Sequence, residues 1–123
     1  MPSYRGLKAW QHARRLAVEC SKTAHHLPRS EQPALAMQLR EAAYSLVLRI
    51  ASGSAGPVEG RRRAFETAQS SLAEIETILG IAHDLDYLPT KEYARLGAWS
   101  EETGKTLYGL LRKLPLRSVT DSV

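Results

Sequence analysis

The sequence predicts an all-α protein, an antiparallel up-down four-helix bundle, and three observations carry that expectation. Apolar residues recur at steps of three and four through four separate stretches, proline or glycine closes each stretch, and nowhere does the chain alternate with the period of two that marks a strand. Helices joined by breaks this short fold back beside one another. A chain of 123 residues, 43% hydrophobic and 24% charged, suits one domain that buries its own core. The bundle domain is expected over residues 1–116 and a frayed tail over 117–123.

In the first stretch Trp10, Ala13, Ala17, Cys20, Ala24 and Leu27 keep to one side of a helix that Pro28 ends. The stripe Arg5, Lys8, His12, Arg15, Glu19, Lys22 and His26 follows the same steps, roughly 200° away at about 100° per residue. The first helix is therefore expected to show water a mostly basic face.

Ser30 is the expected N-cap of the second helix, with Glu31 and Pro33 in its first turn, where a carboxylate suits the dipole and a missing N–H costs little. Leu35, Leu39, Ala42, Leu46 and Ile50 form its core stripe, while Met37, Tyr44, Val47 and Leu48 widen the apolar surface beyond one face. A helix that is apolar nearly all round is buried on more than one side. These four residues are accordingly expected at a subunit interface; the alternative is a central helix in a monomeric core.

Gly53, Gly56 and Pro57 interrupt the pattern, which resumes with Phe65, Ala68, Leu72, Ile75, Leu79 and Ala82. From Ala64 to Asp86 this third helix carries Glu66, Glu74, Glu76, Asp84 and Asp86 and no lysine or arginine, so its charge opposes that of the first. Tyr87, Leu88 and Pro89 make the next turn, and Leu96, Ser100, Thr103, Leu107, Leu110 and Leu114 mark a fourth helix that runs to Pro115.

Charge and cysteine content narrow the function classes. The net charge of +4, with 17 basic and 13 acidic residues, leans towards an acidic partner without forming a polybasic tail. Cys20 is the single cysteine, which rules out an intrachain disulfide and suits a reducing cytoplasm. Neither an export signal nor an apolar run of the roughly 18 residues needed to span a membrane is present, so the expected location is cytoplasmic with no membrane partner.

The small-residue stretch that ends in Arg61, Arg62 and Arg63 lacks the spacing of a nucleotide-binding P-loop: Gly53, Gly56 and Gly60 are wrongly placed, no lysine follows, and a helix precedes them. Its glycines are expected to let the chain reverse with positive φ where required. His83, Asp84 and Asp86 are the richest local group of metal-ligand types and a thin one, so no metal and no cofactor are expected. Cys20 lies on an apolar stripe and Ser70 and Ser71 lie within a helix, so no nucleophile has its activating base, and no catalytic residue is assigned.

What remains are the basic residues. Arg61, Arg62 and Arg63 open the third helix, where free N–H groups also favour anions, and the first helix supplies Arg5, Lys8, Arg15 and Lys22. These seven are the candidate phosphate contacts; a solvated face is the alternative. No aromatic series alternates with them along the chain, so the sequence gives no support to stacking on single-stranded bases.

Leu7, Trp10, Gln11, Ala13, Leu16, Pro28, Glu31, Gln38-Leu39-Arg40, Ala42, Ala43 and Ser45 resemble a family of bacterial four-helix bundle proteins first noted in intervening sequences of large-subunit ribosomal RNA genes. Ile50, Ala51 and Gly53, followed by Ala68, Ser71, Leu72, Glu74, Glu76 and Leu79, are similar to that family's signature from second to third helix. The family's Asn-Ile-Ala-Glu-Gly stands here as Arg49-Ile50-Ala51-Ser52-Gly53, and its Gly-Ser pair as Ser70-Ser71. If that Asn and Glu normally hydrogen-bond around the turn, Arg49 and Ser52 must satisfy it differently or make the protein functionally divergent.

The resemblance implies an antiparallel four-helix bundle assembled as a ring-like homopentamer. The chain also resembles the accessory variability proteins of diversity-generating retroelements, which implies binding of nucleic acid and a reverse transcriptase through basic surface. Together these readings lead to a non-enzymatic homo-oligomer that binds RNA or single-stranded DNA in an accessory role. The competing reading is an interaction scaffold whose basic first helix and acidic third helix pair between subunits, and a weaker third is an enzyme with a site shared between subunits.

Overall fold

The computed structural model describes residues 3–115; the expected tail at 117–123 lies outside the described residues. Four α-helices, α1 (Lys8–His26), α2 (Met37–Ala55), α3 (Arg61–Asp84) and α4 (Thr90–Arg112), account for most of them, and no strand occurs among the described residues. Both α1 and α3 pack against α2 and α4, so α1 lies diagonally across from α3. The α2–α3 and α3–α4 connections hold five residues each and the α1–α2 connection ten, and the bundle is up-down-up-down.

The expected core stripes are buried. Ala13, Cys20 and Ala24 of α1, Leu39, Leu46 and Ile50 of α2, Phe65, Ile75 and Leu79 of α3, and Leu96 and Leu107 of α4 meet in one cluster. Each large aliphatic side chain buried there contributes about 1.5–3 kcal/mol. Ala9 and Leu16 also fill the core on α1, while Trp10 is only half-buried. At the end of α4 Leu111 takes the buried place, one step of four beyond Leu107 on the core face, with Leu110 and Leu114 packed partly buried against the cluster.

Three local expectations are corrected. Ser30 is not an N-cap: the N–H of Glu31 donates to the Pro28 carbonyl (2.8 Å), which closes a 3-10 turn over Arg29–Glu31 and places Ser30 inside it. The extended residue that a cap requires is Pro28 (ψ 150°). The second helix then begins with a wide π turn, Gln32–Ala36, before α2 proper. The Gln32 Nε2 donates to the Ala24 and Leu27 carbonyls (2.8 and 3.0 Å), which closes the end of α1 with a side chain from the next helix.

The second correction concerns the glycines. No glycine adopts positive φ among the described residues, and the one residue that does is Asp86 (φ 62°), in the turn between α3 and α4. Gly53 is needed for a different reason: a Cβ there would lie 2.7 Å from the Cβ of Ala64 and 3.0 Å from the Phe65 ring. Its missing side chain is what lets the end of α2 touch the start of α3.

Thirdly, Glu19 leaves the solvated stripe of α1. It is buried, with only 8% of its surface exposed, and it meets Arg95 of α4 at 3.2 Å and Arg15 at 3.3 Å. Burial alone would raise its carboxyl, but the hydrogen bond and charge of Arg95, with Lys22 and Arg15, outweigh that and hold it below the ordinary value.

Candidate nucleic-acid interface

An up-down bundle gathers at one end the start of α1, the end of α2, the start of α3 and the end of α4. Basic residues occupy three of these, and Arg49 lies six residues, about 9 Å, short of the fourth. Arg5 sits in the 3-10 turn Tyr4–Gly6 and Lys8 opens α1; Arg49 lies in the last third of α2; Arg61, Arg62 and Arg63 open α3; Arg112 and Lys113 end α4. Contact across this end is direct, since the Arg62 Nη2 donates to the Pro115 carbonyl at 2.7 Å. Arg5, Lys8, Arg49, Arg63, Arg112 and Lys113 are exposed. The carboxylates nearest in sequence are Glu59, exposed in the turn before α3, and Glu66 one turn into α3.

The three consecutive arginines divide their work. Arg61 donates from Nε to the Gly53 carbonyl (3.0 Å) and from Nη2 to the Ser54 carbonyl (3.3 Å), with Gly56 O at 3.5 Å. It thereby closes the end of α2, whose last carbonyls have no helical partner. This also answers how the turn is satisfied around Arg49 and Ser52: Ser52 Oγ donates weakly to the Arg49 carbonyl (3.4 Å), Gly56 N–H donates to Ser52 O (2.9 Å), and Arg61 supplies the remaining donors. Arg62 is half-buried, and Arg63 points to solvent.

The other candidate phosphate contacts are spread along α1. Lys22 is exposed but lies about 21 Å from Lys8 along the helix axis, at 1.5 Å per residue. Arg15 is midway, its guanidinium shared between Glu19 and the Trp99 ring of α4, 5.2 Å from the ring centre. The structure therefore brings Arg5, Lys8 and the Arg61–Arg63 run together at one end and leaves Arg15 and Lys22 outside it. Arg49, Arg112 and Lys113 were absent from the sequence-based candidates, because only the topology carries them to that end or near it.

Of the expected interface residues, Met37, Tyr44 and Leu48 are exposed at 46%, 44% and 64% and fall on one line along α2. The Tyr44 hydroxyl hydrogen-bonds Ser21 of α1 at 3.1 Å. Val47 is half-buried and packs against the core of its own bundle. The basic outer side of α1 and the acidic side of α3 do not meet within the chain, since these helices are diagonal, and an ion pair that does cross helices joins Arg95 of α4 to Glu19 of α1.

Among the described residues no three His, Cys, Asp or Glu side chains converge as a metal site. His83 stacks on Tyr93 (4.5 Å between ring centres) and hydrogen-bonds Thr90 through Nε2. Cys20 is buried, and burial, with the nearby Glu19 charge, pushes its thiol up to about 12, which leaves essentially no thiolate at neutral pH. None of the described helices is long and apolar enough to cross a membrane.

Compared with known proteins, residues 5–109 match the family described as 23S rRNA-intervening sequence protein. That span runs from the 3-10 turn before α1 almost to the end of α4. No curated protein matches the chain.

Proposed function

We propose, from the premise that the chain belongs to the 23S rRNA-intervening sequence protein family, that it is a non-enzymatic, homo-oligomeric bundle that binds RNA or single-stranded DNA in the cytoplasm in an accessory role. The observation that carries this reading is the basic end of the bundle, where three chain segments far apart in sequence contribute exposed cations and Arg49 of α2 adds another about 9 Å away. Guanidinium and ammonium groups at such an end attract a phosphodiester backbone and position it without reading bases. The family's description, which refers to ribosomal RNA, supports an RNA-associated role.

The test is fluorescence anisotropy with labelled oligonucleotides across a salt series. Affinity is expected to fall with salt at a log–log slope of about −0.7 per phosphate neutralised on a single strand. The variant carrying Arg63→Glu, Arg112→Glu and Lys113→Glu is expected to bind every sequence more weakly and with a flatter slope. All three positions are exposed, so its helicity should match the parent. Equal affinities for the two proteins would defeat the reading.

A further inference from the structure

The sequence offers no alternation of cations and aromatics, yet the fold builds one. Along the outer side of α1 the Arg5 guanidinium lies 5.5 Å from the centre of the Tyr4 ring, Tyr4 packs edge-on against Trp10 at 5.4 Å, and Arg14 lies 5.7 Å over Trp10. On the other flank of α1, towards α4, Arg15 sits 5.2 Å over Trp99 and the His12 ring lies 6.0 Å from the same indole, tilted by 48°.

Between these groups is an open groove of about 380 Å³ lined by Gln11, His12, Arg14, Arg15, Val18 and Trp99, at the small end of the range that takes a compact ligand. Its lining holds two guanidiniums, an imidazole and an indole, and no carboxylate; Glu19, next to Val18 on α1, is held by Arg95 and Arg15, and Glu102, one turn along α4 from Trp99, pairs with Lys105. Trp99 and His12 are half-buried, so each is fixed by packing and still reachable. Flat π surfaces flanked by cations suit a planar ring attached to phosphates, which is the chemistry of an unpaired nucleotide. In a duplex the base faces are already stacked on one another and have no such surface to offer.

We propose that the α1/α4 groove around Trp99 is a base-stacking subsite for single-stranded nucleic acid. One base takes the place of the Arg15 guanidinium over Trp99, beside His12, and Arg15 turns with Arg14 to the flanking phosphates while Arg95 keeps Glu19 paired. This rests on the nucleic-acid reading above and adds to it: the basic end supplies affinity common to all polyanions, and the groove supplies the preference for an unpaired strand. The strand runs from the basic end along Arg5, Trp10 and Arg14 into the groove.

Trp10 and Trp99 are the two tryptophans of the chain, so intrinsic emission reports directly on the proposed path. The probes are a short oligouridylate, an RNA duplex of the same length and inorganic polyphosphate. The single strand is expected to quench tryptophan emission, while polyphosphate binds without quenching. Trp99→Leu should weaken single-strand affinity roughly five- to a hundredfold, the range that one lost stacking contact gives, and leave duplex affinity unchanged; Trp99→Phe, which keeps a π face, should retain most of the affinity. If Trp99→Leu does not fold, as judged by circular dichroism, Trp10→Phe leaves Trp99 as the sole indole, and quenching of its emission decides. Unquenched emission on saturation with the single strand, or a folded Trp99→Leu protein that binds the strand as the parent does, overturns the groove and leaves the basic end standing. A parent that binds none of the nucleic acids overturns both.

Discussion

Gly53 in the last turn of α2 and Ala64 in the first turn of α3 approach so closely that a Cβ on the glycine would lie 2.7 Å from the alanine Cβ. No two carbons pack at that distance, so Gly53→Ala must push α2 and α3 apart at the end where the basic residues gather. Overpacking of this kind costs about 1–3 kcal/mol, against up to about 1 kcal/mol that alanine gains over glycine inside a helix. The expected outcome is a net loss of stability in urea denaturation. Gly97→Ala is the control with the opposite sign: it lies within α4, a Cβ there meets nothing within 4 Å, and it should stabilise the protein by up to about 1 kcal/mol.

Arg61 and Arg63 are expected to separate cleanly by what their loss does. Arg61→Ala removes the donors that satisfy the Gly53 and Ser54 carbonyls and should cost about 1–3 kcal/mol, as hydrogen bonds to charged groups do. Arg61→Lys should recover little of it, since a single ammonium cannot span the carbonyls that the planar fork reaches. Arg63→Ala, at an exposed position, should change stability by no more than about 0.5 kcal/mol while weakening nucleic-acid binding. Denaturation curves and anisotropy on the same three variants check both halves.

Glu19 sets an acid limit on the bundle. Its carboxyl is held below the ordinary value of 4.5, burial opposing and the Arg95 hydrogen bond and charge prevailing. A carboxylate with a depressed folded-state value contributes stability above its unfolded value and loses it as pH falls through the folded one. The parent should therefore lose stability on acidification below about pH 4.5 more steeply than Glu19→Gln, whose amide cannot titrate. Thermal melts from pH 6 down to roughly pH 3 measure the difference, and parallel curves would show that the Glu19–Arg95 contact carries no pH-dependent stability.

How far the sequence could be read follows from which interactions are local. Stripes such as Leu39–Leu46–Ile50 and Phe65–Leu72–Leu79 are legible because a helix repeats within the reach of the chain itself, and their burial agrees with the period. Glu19 shares the stripe of Arg15 and Lys22, and nothing local distinguishes it; only Arg95, 76 residues later, draws it inside. Ser30 has the chemistry of a cap, but the turn that Pro28 starts runs through it. The Arg61–Arg63 run is visible as a run, whereas its separate roles depend on where the α2 carbonyls lie. Arg49, Arg112, Lys113 and Trp99 join their sites only through the order in which the helices pack.

Self-association is expected through the line Met37, Tyr44 and Leu48 on α2. All three are large apolar side chains left open to water by the single chain, and they share a line on one helix, which a second copy can cover. Light scattering coupled to gel filtration should give a mass that is a multiple of the 13.6 kDa chain, and a ring of five copies is the assembly we propose. Because Met37 and Leu48 are exposed at 46% and 64%, replacing both by glutamate should leave the helical content of the monomer intact. Two like charges per chain on the shared face should shift the assembly towards monomer and, if binding is multivalent around the ring, also flatten the salt dependence of nucleic-acid affinity. A dimer would keep the interface and reject the ring. A parent that stays at the mass of one chain at every concentration would show that this line of α2 faces water, and that the basic end acts one copy at a time.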